Sequence, residues 1–428
     1  MARFARVKDD PQPEVEVVRP RPRRLADSPD GAPCPRSLDD HREFLLGHVH
    51  SLHPLGIGLL DASGLAICET IVADLDLPTF TSATVDGWAL RASNLVGAAP
   101  TLPVILPVVD EIPAGGYRGA PLAKGTAVRV AAGAPVPEGA DAVVALDDGL
   151  AVGDEVQFVS EARFRQNLCL AGSQIADGTG LVAKDSVLTP RLLGLIAEVG
   201  HDKVLARPRP RVVVLAADAS LVEPGLPLTR LGESYDACTT MLAAAARRDG
   251  AQVFPAGIVT SEPKPLATTL QEQLVRADLV LLVTEVDDRL EEVFGAEDAI
   301  DVAEVDGLPG RSLFALIGPE HSPVLVLPPG AVPAHLAYVL LGRPLVQRLA
   351  GVPGADTAVR EETLTEPVAA DPGRTRLVLG RFTADGVEPL DVDQPGTVDL
   401  AAADALIVVP PAAAPLPAGA GVACRPLD

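Results

Sequence analysis

Aromatic residues are scarce in this sequence: they make up 3% of it, with a single tryptophan, Trp88. Its cores must therefore be built from Val, Leu, Ala and Ile. Lysine is almost missing too, confined to Lys8, Lys124, Lys184, Lys203 and Lys264, so a lysine-dependent mechanism has few candidates. The five cysteines, Cys34, Cys68, Cys169, Cys238 and Cys424, include no Cys-x-x-Cys pair. That scatter excludes a zinc or disulfide framework and reads as a reduced, cytoplasmic chain. No apolar run approaches the length of a bilayer span and the N-terminus has no signal-peptide core, so no membrane span is expected. P-loop, Gly-x-Ser-x-Gly and His-Glu-x-x-His motifs are all absent. What the chain holds in excess is negative charge, −23 over 428 residues. That argues against a nucleic-acid partner, because neutralising phosphates needs a basic face. With 47% hydrophobic residues a chain of this length can bury several cores, and roughly three domains are expected.

Residues 1–36 are rich in Pro and Arg, with Arg19, Arg21, Arg23 and Arg24 crowded between prolines. Such a segment cannot bury enough apolar surface to offset its ordering entropy and is expected to be a disordered arm. Basic on an acidic body, it also suits docking to an acidic partner or to the chain's own surface. From Ser37 the pattern turns helical. Ser37 can cap, Asp39 and Asp40 favour the first turn, and Leu38, Leu45, Val49 and Leu52 recur at helical spacing before Pro54. His50 and His53 sit three apart in the last turn, but no carboxylate or cysteine joins them. They read as exposed histidines rather than a metal pair. A second helix is expected over 59–73. Short β-branched runs between 101 and 160, punctuated by Gly and Pro, predict a β-rich segment. Leu188-Thr189-Pro190 then opens a helix over 191–199, closed by Gly200.

The texture changes at Arg207. Val212-Val213-Val214-Leu215 is a continuous apolar run, the mark of a strand buried on both faces. Similar runs at 252–254, 279–283 and 324–327 alternate with helical stretches at 236–248, 264–276, 290–294 and 334–349. That alternation predicts a doubly wound α/β domain. After Gly351 it stops, and short strands at 375–379 and 406–409 suggest a small all-β domain.

Two stretches organise the rest. Thr81-Ser82-Ala83-Thr84-Val85-Asp86-Gly87-Trp88-Ala89-Leu90 sets one carboxylate before a glycine and the tryptophan; Gly133-Ala134-Pro135-Val136-Pro137-Glu138-Gly139-Ala140-Asp141 is a punctuated loop feeding the strand Ala142-Val143-Val144. Together with Gln166-Asn167, Gly172 and Gly232-Glu233-Ser234-Tyr235-Asp236, they resemble the molybdopterin molybdenumtransferase family, to which MoeA proteins and animal gephyrin belong. The resemblance runs over roughly 37–428. It implies an α/β multidomain fold in which a β-rich domain (86–160) is inserted into a helical first domain (37–85 and 161–205). A doubly wound, MogA-like α/β domain (206–351) and a C-terminal β domain (352–428) follow. It further implies insertion of molybdate into adenylated molybdopterin with release of AMP, Mg²⁺ dependence, and a homodimer. By position it makes Asp86 and Asp236 the catalytic acids, sharing the cation with Glu292. Gly87, Gly133, Arg311, Pro329 and Gly330 face the ligand.

The polar half of that pattern is eroded. Where the family reads Gly-Gly-Val-Ser-Val-Gly, this chain reads Thr284-Glu285-Val286-Asp287-Asp288-Arg289. Side chains replace glycines where a backbone would meet phosphate, and Glu285, Asp287 and Asp288 bring negative charge towards an anionic ligand. Cys238 stands for an asparagine, and Ala217-Asp218-Ala219-Ser220-Leu221 lacks the family's acidic pair. The expected consequence is weakened or absent turnover. The alternative is a non-catalytic, gephyrin-like dimeric scaffold, with the N-terminal arm as a contact for a protein partner.

Overall fold

The structure, a computed structural model, describes residues 22–25, 34–116, 120–352, 359–390, 394–412 and 414–427. The proposed arm at 1–36, Arg19 and Arg21 included, lies outside these apart from 22–25 and 34–36. The chain divides into two compact units, one of residues 1–55, 64–66 and 206–428, the other of 56–63 and 67–205.

The first unit begins with β1 (Arg23–Arg24), β2 (Cys34–Arg36) and α1 (Leu38–Gly47). Ser37 caps α1 by accepting from the Asp40 N–H at 3.1 Å, while its hydroxyl donates to the Asp40 carboxylate. The helix stops six residues short of the sequence expectation of His53, closed where the His48 N–H turns back to the Leu45 carbonyl. His50 and His53 are exposed beyond it, whereas His41 is fully buried.

In the second unit the helix expected over 59–73 does not form. A strand at Leu55–Gly58, turns and a strand at Ile71–Val72 take its place. The leucine spacing there does not mark a buried face, since Leu60 is 87% exposed. The β-rich segment follows the sequence reading more closely. It comprises β3 (Gly87–Leu90), β4 (Val104–Ile112), β5 (Ala127–Val130), β6 (Ala142–Ala145), β7 (Gly149–Val152) and β8 (Glu155–Phe158). They form one sheet in the order β7-β8-β4-β5-β3-β6. Trp88 on β3 is buried in its core with Leu106, Val144 and Phe158, and Gly149 lies so close to the indole that a Cβ there would sit 2.8 Å from Nε1. Later in this unit α2 (Pro190–Glu198) starts at the Thr189 cap, with Pro190 at its first position.

Returning to the first unit, the chain runs β9 (Arg211–Ala217), α3 (Cys238–Arg248), β10 (Gln252–Val259), α4 (Pro263–Leu274), β11 (Leu279–Val283), α5 (Asp288–Glu291), β12 (Ala299–Val305), β13 (Ser312–Ile317), β14 (Ser322–Leu327), α6 (Ala331–Ala337) and α7 (Arg343–Ala350). The sheet order is β1-β12-β13-β14-β11-β9-β10, with β2 also on β12. Alternate residues of β9 and β11 point to opposite faces. Val212, Val214, Leu279 and Leu281 pack with α3, α6, α7 and Leu45 of α1; Val213, Leu215, Val280 and Leu282 pack with Leu266 and Leu270 of α4. This is the doubly wound arrangement, but it is not parallel throughout: β13 runs antiparallel to both β12 and β14. Between α6 and α7 the helix widens to a π turn at Tyr338–Gly342, where a Cβ on Gly342 would meet the Tyr338 ring at 2.7 Å.

The C-terminal part holds β15 (Arg360–Thr363), β16 (Arg376–Thr383), β17 (Gly386–Pro389), α8 (Thr397–Ala402), β18 (Ala405–Val409) and β19 (Gly421–Pro426). Its five strands lie in the order β15-β19-β18-β16-β17. Buried Arg343 ties it to α7 and α3, donating to Asp249 Oδ2 at 3.0 Å and to the carbonyls of Pro426 and Leu427 at 3.1 and 2.7 Å. Tyr338 donates to the same Asp249 oxygen at 2.6 Å; burial first, then the Asp249 charge, holds its hydroxyl far above the usual phenol range. No helix among the described residues is long and apolar enough to cross a membrane.

Candidate functional site

Strands β10, β9, β11 and β14 lie side by side in that order, so the chain steps from one flank of β9 to the other between β10 and β11. In a doubly wound sheet that reversal leaves a crevice beyond the carboxyl ends of the strands. Here it is a pocket of about 610 Å³. Its floor is Ala217 at the end of β9 and Val283 at the end of β11; Pro329 and Gly330 bound it after β14, and Asp236 at the head of α3.

Asp236 is 4% exposed, and its Oδ1 accepts from the Thr239 N–H at 3.0 Å, capping α3. Cys238, beside it, is buried. Burial pushes its thiol up, the Asp236 charge adds to that, and the Gly330 N–H at the sulfur pulls the other way. Gly330 has φ +96°, a backbone that side chains rarely adopt, which explains why glycine stands there. Asp218 Oδ1 is held by the N–H and hydroxyl of Ser220, both at 2.8 Å.

The loop that replaces the family's glycines forms one wall, and Thr284 in it behaves differently from the sequence reading. The residue lines the pocket but its side chain is tied back into the protein: it is 8% exposed, and its hydroxyl donates to the Ala217 carbonyl at 3.0 Å, while its N–H donates to the Leu327 carbonyl at 3.1 Å. The threonine stitches the ends of β9, β11 and β14 together. Glu285 and Asp287 do line the pocket as exposed carboxylates, and Asp287 Oδ1 also accepts from the Leu290 N–H at 2.9 Å. With Asp218, Asp236 and Glu262 they set five acids around a single lining cation, Arg289. The Arg289 guanidinium has no hydrogen-bond or ion-pair partner among the described residues.

Of the residues singled out from the sequence, the structure gathers Asp236, Pro329 and Gly330 here. Glu292 lies elsewhere, lining a separate groove with Val293, Phe294 and Leu274. The single turn of α5 buries Leu290 and carries Glu292 past the pocket. Arg311 does not line the pocket; its guanidinium is 3.9 Å from the Asp288 carboxylate. Arg289 was visible in the sequence only as a departure from a glycine, and only the turn of α5 shows that it faces the cavity.

Asp86, Gly87 and Gly133 come together in the other unit. The two motif stretches are zipped by bonds from the Gly133 N–H to the Ala83 carbonyl at 2.8 Å and from the Ala83 N–H to the Ala134 carbonyl at 3.0 Å. Asp86 Oδ1 accepts from the Ala132 N–H at 2.7 Å. A Cβ on Gly87 would collide with the Val144 carbonyl, so strand packing demands this glycine irrespective of any ligand.

Among the described residues, no three His, Cys, Asp or Glu side chains converge as a ready-made cation cage. A Mg²⁺ site shared with substrate phosphates needs fewer, one or two carboxylates. Asp236, Asp218 and Asp287 fit that need. Only one oxygen of each is engaged in a hydrogen bond among the described residues.

Comparison with known proteins gives a consistent result. Residues 36–200 match the MoeA N-terminal region (domain I and II), and residues 362–427 the MoeA C-terminal region (domain IV). Molybdopterin molybdenumtransferase 2 of Mycobacterium tuberculosis is 30% identical over 358 residues, covering 80% of this chain and 86% of that protein. Molybdopterin molybdenumtransferase 1 of the same organism is 28% identical over 377 residues, covering 82% and 87%. In fold, the chain resembles the crystal structure of the molybdopterin biosynthesis MoeA protein of Pyrococcus horikoshii. The TM-score is 0.82 at 24% identity, over 92% of this chain and 99% of the other.

Proposed function

The chain belongs to the MoeA family, and on that premise we propose that it acts in molybdenum cofactor biosynthesis, inserting molybdenum from molybdate into adenylated molybdopterin with release of AMP. The observation that carries this reading is the pocket at the reversal of the α/β sheet, with Asp236 buried at its wall and Gly330 keeping its rim open. Asp236, with Asp218 or Asp287, would hold Mg²⁺, which supplies charge neutralisation for the ligand's phosphates. Arg289 binds an anionic ligand group directly. Asp86, with Gly87 and Gly133, stays in the proposal as a second ligand-facing patch on its own unit, as do Glu292 and Arg311 as outer contributors of charge.

Turnover is proposed to be weak. Five lining acids against one arginine oppose a polyanion, and at a partly desolvated site like charges cost kilocalories rather than tenths. A cytoplasmic homodimer completes the reading. The test is direct. Purified protein is given adenylated molybdopterin, molybdate and Mg²⁺, and AMP is measured. Slow, Mg²⁺-dependent release is expected. Neither pterin binding nor AMP release would end the transferase reading and leave the scaffold.

A further inference from the structure

The basic N-terminal segment found no role in the site above, yet its described residues lie against the loop that builds the pocket. β1 pairs in parallel with β12, Arg23 opposite Ala299 and Arg24 opposite Ile300. The Arg23 N–H donates to the Asp298 carbonyl at 2.9 Å, and the Leu25 N–H to the Ile300 carbonyl at 2.8 Å. This short strand fixes where Arg24 stands. Its Nη2 reaches both oxygens of Glu291, at 2.8 and 3.1 Å, with both side chains about one-third exposed.

Glu291 is the last residue of α5, the turn that carries Arg289 and Leu290 into the pocket and is capped by Asp287. From inside, this wall is held by buried Leu290 and by Thr284. Between those anchors Glu285, Asp287, Asp288 and Arg289 are exposed, with like charges close together. On its outer side Arg24 grips the turn at Glu291 at 2.8 Å, closer than Arg311 stands to Asp288 at 3.9 Å.

We propose that Arg24 is a positioning residue for the pocket: the arm holds the 284–291 wall in its ligand-facing position through Glu291. The arm thereby sets how tightly the pocket binds. The affinity part of this inference rests on the function proposed above; the part concerning the wall does not.

The experiment uses the full-length chain and compares wild type with Arg24→Gln, Arg24→Lys and the charge swap Arg24→Glu with Glu291→Arg. Hydrogen exchange is followed in peptides covering 284–294, with 376–383 as control. In Arg24→Gln, exchange of the wall rises about five-fold, the worth of one well-formed, partly exposed ion pair. The control is unmoved, and Arg24→Lys and the swap restore protection. KM for adenylated molybdopterin rises by a similar factor at unchanged kcat. Unchanged wall exchange in Arg24→Gln, or a rise shared by the control, overturns the proposal. Should the wild-type chain bind no pterin, the proposed function falls, and the exchange result alone decides whether Arg24 holds the wall.

Discussion

His41 offers the sharpest quantitative test of the packing around the α/β sheet. It is a fully buried residue of α1, with Nε2 3.1 Å from the Ser312 hydroxyl and Nδ1 3.3 Å from Arg36, whose guanidinium forms a fork with Asp301 at 2.7 and 2.9 Å. Burial is the main force on the ring. It lowers the pKa from 6.5 to about 4, with Asp301 pulling it up and Arg36 pushing it down. The folded value lies below that of an unfolded chain, so on acidification the unfolded chain takes up the proton first. The stability linked to the neutral ring is complete above about pH 6.5, falls as pH drops from there to about 4, and is then lost. Between about pH 7.5 and about pH 5 the loss amounts to about 2 kcal/mol. His41→Gln can keep the bond to Ser312 without titrating. Urea unfolding followed by far-UV circular dichroism across this range should show wild type losing about 2 kcal/mol more than His41→Gln. Carboxylates common to both proteins cancel in that difference. Parallel pH curves for the two proteins would refute the account of a desolvated, neutral imidazole.

Three further outcomes are expected. Gly87→Ala should destabilise its unit by about 3 kcal/mol in thermal melts, because the added methyl collides with the Val144 carbonyl of the neighbouring strand. Asp236→Asn should change stability by less than about 0.5 kcal/mol, since an asparagine oxygen can still cap the Thr239 N–H, yet abolish Mg²⁺-dependent AMP release. Arg289→Gln should weaken binding of adenylated molybdopterin about ten-fold, as removal of a charge-assisted contact does, and Arg311→Gln should weaken it less, both by equilibrium titration.

The strands of the α/β sheet were legible where the sequence speaks in continuous apolar runs. Val212–Leu215 and Leu279–Val283 are buried on both faces, and nothing else satisfies such runs. β12 escaped because Asp301 interrupts it. That carboxylate is 2% exposed, tolerated only because Arg36, remote in sequence, meets it with two bonds. No local window contains that information. The same holds for Arg24 and Glu291. The false helix over 59–73 shows the reverse error, in which leucines at helical spacing belong to turns and short strands. At the site, Asp236 and Gly330 were reached through the family resemblance, and the cap on α3 and the positive φ are local features that the structure adds. The inward turn of Thr284 could not be read from the sequence, because its partner is the carbonyl of a strand that precedes it by 67 residues.

Trp88 is the chain's only indole, and it is sealed within the β-rich sheet beside Phe158 and Gly149. Its ultraviolet emission is therefore a private signal of that sheet. Light from this one fluorophore should follow the melting of the second unit by itself, while helix ellipticity tracks mainly the first. Two colours of readout thus come built in, and whether the halves come apart together or in turn can be watched in an unlabelled sample.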